Sequence, residues 1–413
     1  MANLTGISDN SSAVGTAASW DLCEAVADPA CAGLNASGRP TTTANVIVVD
    51  ASVSPMIVYS TVDKALILVA MPLIFAVGVL GNGAVIAAFA RYAYMRTITN
   101  YYLVNLAVAD LTFLLFSVPQ FWLQYLTTPL IGDYTHLPPA FCGLTIYLTD
   151  SAVLASGLVV MLVTFERYTA TCWPFRFRRF SSRRRTVLLC AAIWLFSLAY
   201  KVPCLLLSVK ARFTLVWRTA APIDGPAGGL PQSIEYCEYC FPRDSTQCVR
   251  FRKSLTFDQL LLLSVIPLTC VLYTLTMVQL QRAASAPYVT VVEGVTSNLV
   301  KRQVVRMLIV TILVYVVCIT PFRLLNLFNI YDHGLPPHLV WILVNASRIM
   351  AYTNAAVNPF IYNVMSEKYR RAFKDLFIWG WPCCPARRRT PGSGTTGEIE
   401  MKFCRLPSDR RYV

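Results

Sequence analysis

Charged side chains within apolar stretches are the residues of this sequence with the clearest chemical potential. Asp110, Asp150, Arg323 and Arg348 each interrupt a run of mainly apolar residues. An ionisable group inside a membrane-spanning helix costs about 2.5–3.5 kcal/mol on insertion scales and usually faces the interior of a helix bundle. These residues are therefore the first candidates for a binding site.

Three of them form an outer layer, which we define as Asp150, Arg323 and Arg348. Arg348 precedes Asn358 by ten residues, which corresponds to roughly 15 Å of helix, and the other two lie at a similar depth. One interpretation is a closed Asp150–Arg348 salt bridge that only joins helices. The other is a charged cavity that receives a ligand. Further candidates for its lining are Tyr147, Asn326 and Tyr352.

A deeper group of polar residues forms an inner layer. Its members are Asn82, Asp110, Ser156, Asn354 and Asn358. An acid with amide and hydroxyl partners can hold a sodium ion near Asp110, or it can belong to a satisfied packing network. We expect no other cofactor and no catalytic residue, because His136, His333 and His338 all lie in or beside predicted loops.

Seven apolar runs must position these side chains. They cover residues 64–91, 100–126, 140–172, 186–208, 256–282, 303–331 and 338–364. Each has the length of about 20 residues that a spanning helix needs, and 55% hydrophobic with 14% charged residues is too apolar for an ordinary soluble protein. We predict an all-α membrane protein with seven transmembrane helices. Lys201 weakens the fourth run, although a lysine near a helix end can snorkel.

The distribution of basic residues predicts the orientation. The net charge of +14 could suggest nucleic acid, but Lys and Arg fall mainly in short segments between alternate runs, including six arginines at 176–185. By the positive-inside rule these loops are cytoplasmic and the N-terminus is extracellular. We expect an extracellular tail at 1–61, a membrane domain at 62–365, an amphipathic surface helix at 366–378 and a cytoplasmic tail at 379–413.

Both tails contain candidate modification sites. The N-terminal tail has glycosylation acceptor sequences at Asn3, Asn10 and Asn35. Cys383 and Cys384 follow the amphipathic segment and are candidate palmitoylation sites. In the oxidising outer compartment, Cys142 is expected to bond to Cys237 or Cys240, although a pair among the loop cysteines alone is the alternative.

One motif in each run resembles the rhodopsin-type G-protein-coupled receptors. The residues are Gly81 and Asn82, Leu106 to Asp110, Cys142 with Glu166-Arg167-Tyr168, Trp194, Pro267, Cys318 to Pro321, and Asn358-Pro359 with Tyr362. The resemblance implies that Glu166, Arg167 and Tyr168 couple to a G protein. It also implies an activation network of the inner layer together with Pro321, Pro359 and Tyr362.

The last third of the chain is similar to a narrower group of neuropeptide receptors. Pro321-Phe322-Arg323, Arg348-Ile349 and Tyr352 to Arg370 resemble the receptors for thyrotropin-releasing hormone, ghrelin, motilin and neuromedin U. Asp150 and Leu154 stand where the thyrotropin-releasing-hormone receptor has a tyrosine and an asparagine. The resemblance therefore implies a peptide ligand without specifying the hormone.

These features predict a receptor in the plasma membrane for an extracellular peptide, signalling through phospholipase C and calcium. Arrestin and receptor kinases are the expected partners of the tail. A receptor for a small non-peptide ligand is the alternative, and a transporter is remote because paired repeats are missing. Three departures from the family pattern concern activation. Ile319 stands where the family usually has a tryptophan, Leu275 stands where it usually has a tyrosine, and the third departure is Lys301. Lys301 replaces an acid that pairs with the motif arginine in some relatives, so we predict raised basal signalling.

Overall fold

A computed structural model describes residues 46–49, 54–217, 231–241, 245–285, 293–331 and 337–378. The predicted glycosylation sites Asn3, Asn10 and Asn35 lie outside the described residues, as do Cys383 and Cys384.

Seven long helices correspond to the seven apolar runs. From the first to the seventh they are Thr61–Arg91, Ile98–Thr127, Pro139–Cys172, Arg183–Leu207, Thr246–Ser285, Glu293–Tyr331 and Pro337–Met365. Within the described residues, the first six are long and apolar enough to cross a membrane. The seventh packs against the first, second and sixth. The predicted predominantly helical membrane fold is confirmed at this level.

Irregular turns interrupt two of these helices. The first contains a π-helical turn at Leu66–Ala70, directly before Pro72. The second is divided at Pro119 into Ile98–Ser117 and Pro119–Thr127. Proline cannot donate a backbone hydrogen bond, so the helix kinks or breaks where it occurs.

Glycines allow the closest helix contacts. A methyl group added at Gly81 would lie 3.0 Å from the Pro359 ring of the seventh helix. One added at Gly143, in the third helix, would lie 2.8 Å from the backbone oxygen of Leu205 in the fourth. Small residues at such positions let membrane helices approach closely enough for van der Waals packing to hold them together.

A three-stranded sheet covers one end of the bundle, and the sequence analysis did not predict it. Strand β1 (Val46–Val49) runs parallel to β2 (Val209–Trp217), which is antiparallel to β3 (Ser233–Glu238). Ala211, Phe213 and Leu215 of β2 are buried on one face, the period-2 pattern of a half-buried strand. The all-α prediction is therefore corrected by this small sheet.

Two disulfide bonds attach the sheet to the helices. Cys142, in the first turn of the third helix, is bonded to Cys237 of β3, and Cys240 is bonded to Cys248 at the start of the fifth. Of the two partners expected for Cys142, the structure therefore selects Cys237, and Cys240 pairs with another cysteine of the loop region. We name this end of the bundle the sheet end, and the opposite end the Arg167 end.

Candidate functional site

Lys201 is the centre of a buried ionic cluster near the sheet end. Its ammonium group lies 2.9 Å from Oδ2 of Asp258 and 3.5 Å from Oδ2 of Asp150. Arg323 Nη1 lies 4.0 Å from the same Asp258 oxygen and donates a hydrogen bond to Oε1 of Gln259 at 3.0 Å. The third, fourth, fifth and sixth helices are thus joined by four charged side chains, which we call the Lys201 cluster.

The cluster corrects two sequence-based interpretations. Lys201 does not snorkel: only 3% of its side chain is exposed, and it is held between two carboxylates. The proposed Asp150–Arg348 salt bridge is wrong, because Asp150 pairs with Lys201 instead. Each of these buried ions has an oppositely charged partner, which offsets part of the hydration that it loses on burial.

The two acids of the cluster differ in their access to a ligand. The side chain of Asp150 is 25% exposed, whereas that of Asp258 is only 2% exposed. Lys201 also lies closer to Asp258 than to Asp150. Asp150 is therefore the carboxylate that remains incompletely neutralised and open to an additional cation.

Arg348 lies in a separate group formed by the first, second and seventh helices. Its guanidinium carbon is 4.4 Å from the centre of the Phe121 ring, and Nη1 donates to Oδ1 of Asn345 at 3.2 Å. Asn345 in turn donates to Asp63 at 3.3 Å. Among the residues that the structure describes, no carboxylate lies within salt-bridge distance of Arg348.

The other predicted lining residues differ in how far their side chains are buried. Tyr147 and Asn326 are half-buried. Tyr352 is buried, and its hydroxyl lies 2.9 Å from that of Ser117, so it already has a partner in the bundle. Tyr352 therefore forms the floor beneath Arg348 and is not an open lining residue.

Residues of the sheet end hold the β2–β3 hairpin over the bundle. Lys210 of β2 donates to the backbone oxygen of Leu137, and Tyr134 N–H donates to the Glu235 carbonyl, at 2.9 and 2.8 Å. Burial raises the pKa of the Tyr239 hydroxyl, and the negative charge of Asp150 raises it further.

The five inner-layer residues are all buried, and two of them, Asp110 and Asn358, are in direct contact. Asn358 donates to Oδ2 of Asp110 at 2.8 Å, and Asn82 donates to the backbone oxygen of Ala355 at 2.9 Å. Both residues keep a buried side-chain Oδ1 without a hydrogen-bond donor within the described structure, and the Tyr362 hydroxyl has no partner there either. A carboxylate with nearby amide oxygens is a donor set that fits a hard cation or water. Ser156 and Asn354 are also buried.

At the Arg167 end, the motif arginine pairs within its own helix. Its Nη2 donates to Oε1 of Glu166 at 2.5 Å, and its Nε contacts the other carboxylate oxygen. Tyr168 packs edge-on against Trp173, with ring centres 5.8 Å apart. No ion pair from Arg167 to the sixth helix occurs among the described side chains.

Leu275 and Tyr273, two neighbouring positions of the fifth helix, differ in burial. Leu275 is 46% exposed on the outer face of the bundle, whereas Tyr273 is buried with its hydroxyl 3.5 Å from that of Thr164. Thr164 lies one turn from Arg167. The buried tyrosine on this side of the fifth helix is therefore Tyr273.

The segment after the seventh helix forms the helix Glu367–Ile378. Tyr369 and Ala372 are buried, and the Tyr369 hydroxyl donates to Asn100 at 3.4 Å. Arg370 and Arg371 are largely exposed on the other side. One face of this helix thus packs against the bundle and the other is charged.

Lys201, Asp258 and Gln259 are the site residues that sequence reasoning missed. The available signal was charge balance between runs: the fourth run contains one cation and no acid, and the fifth contains one acid, Asp258, whose only oppositely charged residue is Arg282 at the far end of the run. An uncompensated charge in one apolar run predicts a partner in another.

Comparison with known proteins identifies the family. The family model described as 7 transmembrane receptor (rhodopsin family) matches residues 81–362. The mouse (Mus musculus) neuromedin-U receptor 2 is 30% identical over 347 residues, which cover 81% of this chain and 80% of that receptor. The rat (Rattus norvegicus) KiSS-1 receptor is 28% identical over 342 residues, covering 78% and 77%.

The predicted resemblance to neuropeptide receptors, including that for neuromedin U, is confirmed, whereas the KiSS-1 receptors were not anticipated. The matched residues include the motifs of all seven runs, and the relatives are receptors and not enzymes. Together with six helices able to cross a bilayer, this makes the protein a multi-pass receptor of the plasma membrane. The chain belongs to the rhodopsin family of seven-transmembrane receptors.

Proposed function

We propose that this receptor binds an extracellular neuropeptide at the sheet end and activates a heterotrimeric G protein at the Arg167 end. The proposal includes seven membrane spans, with Pro337–Met365 as the last, an extracellular N-terminus, and Glu367–Ile378 on the cytoplasmic membrane surface. The arginine-rich loops support this orientation, as do the sequons at the N-terminal side. A peptide as the ligand is supported by the relatives, which are named as receptors for neuromedin U and for KiSS-1.

The observation that carries the ligand assignment is the separation of two accessible charges. Asp150 is partly exposed and shares the Lys201 ammonium group with Asp258. Arg348 has no carboxylate partner among the described residues. A ligand with one basic group and one carbonyl or carboxylate acceptor would satisfy both. Peptides carry these groups, and arginine suits the acceptor because its planar fork donates several hydrogen bonds.

Activation is proposed to proceed by a population shift. A basic ligand group at Asp150 would compete with Lys201 and change the contacts of Arg323, which lies two residues beyond Pro321 in the sixth helix. The ligand must bind more tightly to the state with an open Arg167 end, since only differential affinity shifts an equilibrium. The Arg167 region would then contact the G protein.

The inner layer is proposed as an allosteric sodium site. Asp110 would supply the charge, with amide oxygens of Asn82 and Asn358 as neutral donors. Signalling through phospholipase C and calcium, N-glycosylation, palmitoylation, and regulation by arrestin and receptor kinases are further parts of this proposal.

The test is intracellular calcium in cells that express the full chain, challenged with short neuropeptides that include amidated ones. Arg348→Ala should weaken the potency of an active peptide by about thirtyfold or more, because loss of a buried charged hydrogen bond costs at least about 2 kcal/mol. Arg370→Ala removes the same charge at the other end and should leave potency unchanged.

Unchanged potency in Arg348→Ala at equal surface expression would refute the ligand site. A peptide library without any active member, together with a response to a small non-peptide compound, would refute the peptide class while retaining the receptor.

A further inference from the structure

Two short segments that precede the first helix lie against the sheet end. They are β1 and residues 54–60, and we call them together the N-terminal strap. Val49 and Ile57 of the strap are completely buried, in one apolar cluster with Leu130 and with residues of β2 and β3. The strap is thus packed like a protein core, although the sequence predicts a tail there.

Backbone contacts hold the strap to its neighbours. The N–H of Ile131 donates to the carbonyl of Ile57 at 2.7 Å, and Val58 forms an isolated β-bridge with Leu130. The four residues of β1 pair with the last part of β2. This pairing is short and parallel, and parallel pairing is slightly less stable per residue than antiparallel pairing.

β1 and β3 lie on opposite sides of β2 and are attached in different ways. Cys237 of β3 is bonded to Cys142 of the third helix, so β3 cannot leave the bundle while that disulfide is intact. β1 contains no cysteine. The strap is therefore the part of the sheet that can leave β2 without breaking a covalent bond.

The strap reaches the surroundings of Arg348 through Tyr59. Tyr59 is buried, and its ring lies edge-on to that of Tyr125 with the ring centres 5.1 Å apart. It belongs to the same apolar cluster as Phe121, whose ring lies against the Arg348 guanidinium. Burial raises the pKa of the Tyr59 hydroxyl, and the positive charge of Arg348 opposes that rise. The strap thus packs beside the arginine of the proposed ligand site.

We propose that the N-terminal strap is an autoinhibitory cover: it closes the route from outside to Arg348, and an extracellular peptide reaches this arginine only after β1 has left β2. Because the strap belongs to the same chain, it competes with a ligand at an effective concentration on the order of millimolar. A ligand that binds only the open fraction has an apparent affinity reduced by that fraction. The inference rests on the proposed function for the identity of the ligand, whereas the cover itself rests on the packing.

A purely protective role is the competing explanation for β1. An exposed strand edge is a template for pairing with another chain, and a short extra strand can shield it. In that case loss of β1 would lower stability but would change neither access to Arg348 nor ligand potency.

The first experiment measures access without any ligand. Phe121→Cys marks the Arg348 surroundings, and its reaction with a membrane-impermeant maleimide is followed on intact cells, relative to receptor without this cysteine. Adding Val49→Thr places a hydroxyl in the buried cluster, which should favour the open strap and speed labelling by about fivefold or more. Val48→Thr is the matched control, because Val48 is 37% exposed in the same strand. It should leave the labelling rate unchanged.

The second experiment locks the strap in place. Val48 and Val216 are partners across β1 and β2. Neighbouring strands lie about 4.8 Å apart, a separation that a disulfide can span. The double variant with Val48→Cys and Val216→Cys should slow the labelling of Phe121→Cys and should weaken the potency of an active peptide by about tenfold or more. Each single variant should behave like the parent receptor.

Equal labelling rates in the parent, the Val49→Thr variant and the locked variant would overturn the proposal, and a lower melting temperature of Val49→Thr alone would then assign β1 to edge protection. Full peptide potency in a receptor shown to be locked would overturn it as well. These outcomes are separable from a failure of the proposed function. If no peptide activates the receptor, the labelling rates still decide whether the strap covers Arg348.

Discussion

The two ends of the helix bundle use charged residues in different ways. At the sheet end, Lys201 connects the carboxylates of two other helices, and Arg323 approaches one of them from a fourth. At the Arg167 end, the arginine pairs with Glu166, its neighbour in the same helix. Contacts there between helices are mainly apolar, with hydrogen bonds such as that from Gln303 to the Met365 carbonyl at 2.7 Å.

This difference indicates where the bundle can move. Separation of the fifth and sixth helices at the sheet end must disturb the buried contacts of Asp258 and Gln259 with Arg323. Outward movement of the sixth helix at the Arg167 end separates no cross-helix ion pair among the described residues. The sheet end is therefore the stiffer end, and the Arg167 end is suited to open.

Lys201→Met should produce the largest effect, because it leaves the carboxylates of Asp150 and Asp258 without their shared cation. Breaking a buried ion pair by removing one partner costs about 3–5 kcal/mol. We expect a lower melting temperature of the purified receptor and reduced surface expression. Arg212→Met is the matched control, since the Arg212 side chain is 70% exposed. It should cost less than about 1 kcal/mol, and an equal loss in both variants would contradict the assigned role of the Lys201 cluster.

Lys301→Glu should supply an acid at the foot of the sixth helix for Arg167, which has no cross-helix ion pair among the described residues. An ion pair of ordinary surface strength contributes about 0.2–1 kcal/mol, which changes a two-state population by up to about fivefold. Basal calcium signalling of cells expressing this variant should fall by that factor, whereas Lys301→Gln should change it little. Basal signalling of the parent receptor no higher than in mock-transfected cells would remove the basis of this prediction.

The smallest effect is expected from Glu235 of the sheet. Hydrogen bonding from Lys210 lowers the pKa of this carboxyl, and Arg212 lowers it further. A lowered folded-state pKa means that Glu235 stabilises the fold above its unfolded pKa, about 4.3, and that this contribution is lost as the pH falls through the folded value. Thermal unfolding of Glu235→Gln should therefore approach that of the parent on acidification. A constant difference down to the lowest pH would exclude this linkage.

The long helices were predictable because the apolar runs have the length and composition of membrane helices, and within the described residues six of them form helices able to cross a bilayer. The depth of Asp110 and Asn358 in their helices was also readable from the sequence, and the structure joins these two side chains by a hydrogen bond. The sheet was missed because β1 and β2 are separated by the 159 residues 50–208, and pairing over such a distance has no local signature. The alternation of apolar and polar residues in β2 was readable from the sequence, but its pairing with β1 was not.

For the outer layer, the sequence determined depth and the tertiary structure decided the partners. Helical rise alone places Asp150, Arg323 and Arg348 at similar heights. Which charges meet depends on the rotation of each helix about its axis and on which helices are neighbours. The periodicity within a single run specifies neither of these. The bundle turned Asp150 toward Lys201 and Asp258, and left Arg348 beside Phe121. The sequence thus specified that buried charges exist, while only packing selected which of them pair and left Arg348 without a carboxylate partner among the described residues.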